Sequence, residues 1–210
     1  DTIFATTFRS YMHHATFEVN DSKQQFKIPM IGKHNVSNAL AAISVGRHFG
    51  ENDEQIAQAL ANFTPTANRM QWKKGDVGEA IMDDVYNSNP TAVKAVTTSF
   101  GQVMVENGGR RIAVLGDMLE LGDESSELHA SLADALDPAI INELYLYGPE
   151  MKHLYDALVD KYEVANLHYY SQEEMNRMID DLKNDIKPND IVMLKGSHGM
   201  HLEKVLDRLM

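Results

Sequence analysis

The chain has 210 residues, enough for one large or two small domains, and its 43% apolar and 24% charged side chains suit a globular protein with real cores. A net charge of -12 argues against general nucleic-acid or membrane-surface binding, which needs a basic face, though it leaves a local basic site open. With no cysteine, disulfides, thiolate catalysis and cysteine-type zinc sites are excluded.

From the amino end, residues 2–8, 11–19 and 25–29 are short runs of β-branched and aromatic residues that predict strands, with a turn at Val19-Asn20-Asp21-Ser22. Val36, Leu40, Ile43 and Val45 recur on one face and predict a helix over 34–48. A second helix is predicted over 53–63, capped by Asn52 or Asp53. Thr64-Pro65-Thr66 breaks the pattern and places a domain boundary, giving 1–65 and 66–210. Beyond it, predicted strands at 79–82, 111–115, 143–147, 168–170 and 191–194 each lead into a helix, at 90–106, 125–136, 149–160, 172–186 and 199–209. Pro90 suits a first helical position, where its missing N–H is harmless. Five such units predict an α/β fold with a mostly parallel sheet covered by helices on both faces. No apolar run approaches a membrane span, and no signal peptide is evident. The chain starts at Asp1, within what reads as strand, and is expected to be a piece of a longer protein.

In open α/β sheets ligands sit outside the carboxyl ends of the strands. Three polar clusters fall there: Asp83-Asp84-Val85-Tyr86-Asn87-Ser88-Asn89, Gly116-Asp117-Met118 and Lys195-Gly196-Ser197-His198. A carboxylate at 83 or 84 accepts ribose hydroxyls, holds a metal, or simply caps a turn. Asn87 and Asn89 precede the Pro90 helix and are equally candidate caps. Arg69, beside Asn68 and Gln71, suits a phosphate through paired N–H bonds, or is a solvated surface arginine. Trp72, the only tryptophan, reads as packing ahead of ligand stacking. Lys195 offers a point charge before a glycine that lets a ligand approach the backbone, or it reaches solvent. Asn35 and Asn38 open the first long helix on one face. Asn35 is a candidate cap, and the Asn38 amide carries the donor and acceptor that an adenine edge requires. His129 is structural or catalytic on sequence alone. His198 and His201 lack the further ligands of a zinc site, so no metal site is predicted. Neither GxxxxGK[ST] nor a post-strand GxGxxG occurs.

Four segments together resemble the Mur ligases. Gly32-Lys33-His34-Asn35-Val36-Ser37-Asn38-Ala39-Leu40-Ala41-Ala42 is similar to the family's GxHNxxNALAA helix. Asp84-Val85-Tyr86-Asn87-Ser88-Asn89-Pro90 resembles DxYNANP, Leu115-Gly116-Asp117-Met118-Leu119-Glu120-Leu121-Gly122 resembles LGDMxELG, and Lys195-Gly196-Ser197 resembles KGS. The last three resemble the branch that joins D-alanyl-D-alanine to UDP-N-acetylmuramoyl-tripeptide. The likeness runs from about residue 28 to the end, in the family's order.

The resemblance implies an ATP-dependent ligase of peptidoglycan precursor synthesis, cytoplasmic and monomeric, using ATP and Mg2+, with no nucleic-acid partner and no membrane span. It implies that 1–65 are the β-rich and helical end of a central ATP-binding domain and 66–210 a Rossmann-like last domain. The phosphate loop, the metal ligands and a modified lysine are expected before Asp1, and the chain alone is expected to be inactive. His34, Asn35 and Asn38 would serve the nucleotide, with Asn38 at adenine. Arg69 would reach the ATP phosphates, Asp84 the ribose hydroxyls, and Tyr86 and Asn89 the same nucleotide-facing loop. Asp117, Glu120, His129, Lys195 and Ser197 would lie toward the peptide and dipeptide, with Arg69 and Lys195 catalytic. His198 departs from the arginine that often follows KGS in the family. The implied reaction phosphorylates the tripeptide carboxylate, and the dipeptide amine then displaces phosphate. Two rivals stand beside this reading: an amide ligase of the same superfamily adding a single amino acid or glutamate, and a non-catalytic nucleotide-binding module.

Overall fold

Period-two burial builds the first sheet. In a computed structural model that describes residues 2–210, β1 (Ala5–Ser10), β2 (Ala15–Val19) and β3 (Gln25–Ile28) pair antiparallel in chain order. Ala15, Phe17 and Val19 turn inward with Phe26 and Ile28. Phe17 and Phe26 stack across the ladder at 5.6 Å. α1 (Lys33–His48) and α2 (Asp53–Ala61) supply Val36, Ala39, Ile43, Ile56 and Ala57 to this core. Of the two candidate caps for α2, Asn52 is the one used. Its side chain accepts the Gln55 N–H at 3.0 Å, and Gln55 returns a bond to the Asn52 N–H at 3.0 Å. Asp53 instead pairs with Arg47 at 2.8 Å, and that bond holds its carboxyl below the ordinary value despite partial burial.

The chain divides into two compact units, one of residues up to Thr66 with Gln102–Met104, the other of Ala67–Gly101 and Val105–Met210. The second unit holds a six-stranded sheet of β4 (Gln71–Lys74), β5 (Ala80–Asp84), β6 (Arg111–Gly116), β7 (Glu143–Tyr147), β8 (Leu167–Tyr170) and β9 (Ile191–Lys195), in the order β4-β5-β9-β6-β7-β8. β5 to β9 are parallel, and β4 joins the edge antiparallel. The α/β expectation therefore holds, with β4 added. Its QWKK sequence lacks β-branched residues and alternation, so only pairing with β5 defines it as a strand.

The central strands are near-continuous apolar runs because both faces are covered. The covering helices are α3 (Pro90–Gly101), α4 (Ser125–Ala130), α5 (Met151–Leu158), α6 (Met175–Asp185) and α7 (Glu203–Leu209). Several are shorter than their apolar patterns predict. α3 stops at Gly101, α4 tightens into a 3-10 turn over Ser131–Ala135, and α6 is preceded by a 3-10 turn over Gln172–Glu174. Among the described residues no helix is long and apolar enough to cross a membrane.

One arginine fastens the amino edge of this sheet. The Arg110 guanidinium reaches Glu143 at 2.5 Å, Asp190 at 2.7 Å and Asp185 at 3.0 Å, while its backbone N–H donates to Asp190 at 2.8 Å. Burial opposes ionisation of Asp190, but the bonds from Arg110 and from the Lys187 N–H outweigh it and hold the carboxyl below its ordinary value.

Candidate functional site

Parallel register sets the carboxyl edge. β5 and β9 place Asp84 opposite Lys195. The Lys195 ammonium donates to Asp84 Oδ2 at 2.7 Å and to the Asn87 carbonyl at 2.8 Å. The lysine side chain is 2% exposed and the aspartate 13%. Of the two readings of Lys195, the one that reaches solvent is excluded: the ammonium is enclosed, with two of its three protons engaged. Asp83, the alternative carboxylate, is fully buried and pairs with Lys73 at 2.9 Å, which leaves Asp84 as the one that opens to solvent.

The second oxygen of Asp84 accepts the Met70 N–H at 3.3 Å, and the Tyr86 N–H donates to the Asn68 carbonyl at 3.3 Å. These bonds pin the loop before β4 to the loop after β5. Asn68 and Met70 both lie in the left-handed region, at φ 59 and 48. Between them Arg69 is held in solvent, its guanidinium 4.5 Å from the Tyr86 ring centroid. Tyr86 is itself exposed, with the exposed His198 ring 6.2 Å away. The outer surface of this edge is therefore an aromatic face with a cation over it and a carboxylate beneath. His198 joins it through space, where its place after KGS gave no role. Ser88, which the sequence did not single out, has a buried hydroxyl with no hydrogen-bond partner among the described residues.

The expected peptide-side residues divide differently. Asp117 is 2% exposed, and its two oxygens accept the Met151 and Glu150 N–H groups at 2.8 and 3.2 Å. It fastens the start of α5 to the end of β6. Burial raises its carboxyl above the ordinary value, against the lowering effect of those two amides. Gly148 makes room for it: φ is 115, and a Cβ there would meet the Asp117 carboxylate at 2.5 Å. His129 is fully buried. Its Nε2 accepts the Met118 N–H at 2.9 Å, so the proton sits on Nδ1, which donates to the Ser125 carbonyl at 2.8 Å. Ser197 Oγ accepts the Leu119 N–H at 2.9 Å, and its own N–H donates to the Asp117 carbonyl at 3.1 Å. Asp117, His129 and Ser197 thus each bond backbone groups that shape this loop. Glu120 remains exposed, in the left-handed region at φ 65. Asn89 caps α3, accepting the Ala92 N–H at 2.8 Å, and its exposed amide nitrogen is free to donate to a ligand.

His34, Asn35 and Asn38 belong to the first unit. Gly32, not Asn35, is the N-cap of α1. Asn35 is buried and donates to the Ile31 carbonyl at 2.8 Å, with its amide nitrogen 3.1 Å from His34 Nε2. Asn38 is exposed one turn on, its amide 3.5 Å from Asn35 Oδ1. Asn35 is thereby corrected to a residue that orients the helix start, and Asn38 is the amide presented to solvent. Among the described residues no three His, Asp or Glu side chains cluster to hold a metal ion.

The sequence model of the family described as "Mur ligase, glutamate ligase domain" matches residues 68–198, from the Arg69 loop through the Lys195 strand. The chain belongs to the Mur ligase family. The UDP-N-acetylmuramoyl-tripeptide–D-alanyl-D-alanine ligase of Bacillus subtilis is 32% identical to this Mur ligase chain over 193 residues, covering 92% of it and 41% of the relative. The Escherichia coli ligase of the same name is 28% identical over 184 residues, covering 87% and 38%. The crystal structure of MurF from Acinetobacter baumannii superposes with a TM-score of 0.81 at 26% identity, over 99% of this chain and 44% of that one. The MurF ligase of Thermotoga maritima in complex with ADP shares the fold, with a TM-score of 0.78 at 22% identity over 99% and 45%. This Mur ligase chain spans about two-fifths of the length of the curated relatives it matches.

Proposed function

We propose that this Mur ligase chain serves the ATP-dependent joining of D-alanyl-D-alanine to UDP-N-acetylmuramoyl-tripeptide in peptidoglycan precursor synthesis. The observation that carries the reading is the Asp84–Lys195 pair beneath the Arg69–Tyr86 stack, built from the segments that match the family. The names of the relatives supply the substrates.

In this reading the tripeptide carboxylate attacks the γ-phosphorus of ATP, giving an acyl phosphate and ADP. The dipeptide amine then adds to the carbonyl, loses its proton, and phosphate departs. Such steps rest on positioning and charge stabilisation. Asp84 offers its partly exposed carboxylate to the ribose hydroxyls, and Tyr86 and the Asn89 amide nitrogen belong to the same loop. Arg69 is a free-standing guanidinium suited to phosphate oxygens. Asn38 offers adenine a donor and an acceptor. Lys195 is a positioning residue that holds Asp84 and the Asn87 carbonyl in place. Glu120 is the exposed member of the peptide-side group. Magnesium that accompanies ATP finds no protein ligand cluster among the described residues, so no step is assigned to it here. The reading places the protein in the cytoplasm as a monomer, with residues 1–65 the end of an ATP-binding domain and 66–210 the domain that closes over the site.

The test is kinetic. In the full-length ligase, Arg69→Ala should raise the ATP KM and lower kcat, and Asp84→Asn should raise the ATP KM by about tenfold, the loss of a hydrogen bond to a charged group. An unchanged KM in both removes this edge from the nucleotide site. Product formed with D-alanyl-D-alanine but not with single amino acids separates this reading from the other amide ligases.

A further inference from the structure

A cavity lies on one face of the same sheet, where β7 and β8 meet α6. The cavity has a volume of about 310 Å³ and is lined by residues of β7, β8 and α6. This is the small end of the range for ligand sites.

Sequence periodicity builds it. Tyr145, His168 and Tyr170 lie on one face of neighbouring parallel strands, with Tyr145 against His168 in the ladder. Their rings stack, at 4.4 Å for Tyr145–His168 and 6.2 Å for Tyr145–Tyr170. Asp181 and Asp185 stand one turn apart on α6 and close the other side, and Glu143 forms the floor beside the His168 ring, which it meets at 2.9 Å.

The charges are unbalanced. Arg110 is shared among Glu143, Asp185 and Asp190, and Arg177, exposed on the rim, approaches Asp181 only to 3.7 Å and lies over the Tyr170 ring at 5.8 Å. Three carboxylates, Glu143, Asp181 and Asp185, line the cavity, and among the described residues no lysine or arginine does. The Tyr170 hydroxyl donates to Asp181 at 2.9 Å. The Tyr145 hydroxyl does not find such a partner: the residue is 1% exposed, lines the cavity, and makes no hydrogen bond among the described residues. Its oxygen is not sealed in the core, and the cavity is the side from which a hydrogen-bonding group can reach it. Burial first, and the Glu143 and Asp185 charges next, push this phenol well above its ordinary range, so it stands there as a neutral hydroxyl in a negative field.

We propose that this cavity binds a small organic ammonium or guanidinium ion, with Asp181 and Asp185 supplying counter-charge, the Tyr145 hydroxyl accepting a hydrogen bond, and the stacked rings offering their faces. A metal ion fits less well, because no three ligating side chains converge. The site is separate from the nucleotide-facing edge and does not depend on the reaction assigned there.

The experiment titrates the full 210-residue chain with 1,4-diaminobutane at constant ionic strength, following the His168 and Tyr145 ring resonances by NMR and the heat by calorimetry. Saturable shifts of these two residues are expected, weakened about tenfold or more by Tyr145→Phe and by Asp181→Asn, each of which removes one bond to a charged group. Asp181 is exposed and Tyr145→Phe keeps the ring, so both variants retain the fold. The uncharged 1,4-butanediol should leave the resonances unmoved. Absence of saturable shifts, an equal response to the diol, undiminished binding in both variants, or competition by ATP would each overturn the proposal.

Discussion

The two edges of the six-stranded sheet carry similar side chains and use them differently. At the amino edge Arg110 is the hub of an ion-pair cluster, and Asp190 and Glu143 are buried around it at 1% and 4% exposure. At the carboxyl edge the buried cation, Lys195, holds a carboxylate that still opens to solvent, and Arg69 and Tyr86 stand outside it. The first arrangement joins strand starts to one another; the second joins a strand end to a loop and keeps one face available. An ion pair near a sheet edge is therefore not evidence of a ligand site until the exposure of each partner is known.

The comparison can be broken most forcefully at Arg110. Arg110→Ala leaves two buried carboxylates without their cation and should lower the unfolding free energy by about 3–5 kcal/mol, read by urea denaturation. Its pH signature has a definite sign. The Asp190 carboxyl is held below its ordinary value, so its contribution is present above the unfolded value and lost as pH falls through the folded one. The variant should lose that acid-side decline. A parallel acid limb in wild type and variant would show that Asp190 is not the group responsible.

Lys195→Ala tests the other edge. Because Asp84 can rehydrate, the expected loss is smaller, about 2 kcal/mol, and under the proposed function the distinguishing readout is a raised ATP KM. A loss as large as that of Arg110→Ala would make the two edges equivalent. Gly148→Ala should cost about 1–2 kcal/mol in thermal unfolding, since it places a side chain at positive φ against the Asp117 carboxylate. Asn89→Ala, which removes the cap of α3, should cost about 1 kcal/mol in thermal unfolding. Asp117 carries the opposite pH sign to Asp190. Its carboxyl is raised, so its contribution is present below the ordinary value and is lost as pH rises through the folded one. Asp117→Asn should therefore reduce the pH dependence on that limb.

Much of the fold was legible because its signals are local. β6, β7 and β9 read as apolar runs, and α2 carries its capping box within four residues. β4 was not legible, because QWKK becomes a strand only through its ladder with β5. Within the candidate site, the packing of Trp72 against Phe100 matched the reading of the residues, whereas the residues alone left Asp83 and Asp84 open and only their differing burial separates them. For Asp117, His129 and Ser197 the sequence could not show that their side chains also bond backbone groups of other segments.

By itself the sequence determined the α/β alternation, the polar clusters that follow the strands, and the family those clusters belong to. Tertiary structure alone decided which polar atoms are left for a ligand. The reason is that hydrogen-bond satisfaction is a long-range property: Lys195 meets Asp84 across 111 residues and Ser197 meets Leu119 across 78, and only once such pairs close is the free valence of Arg69, Tyr86 or Tyr145 defined.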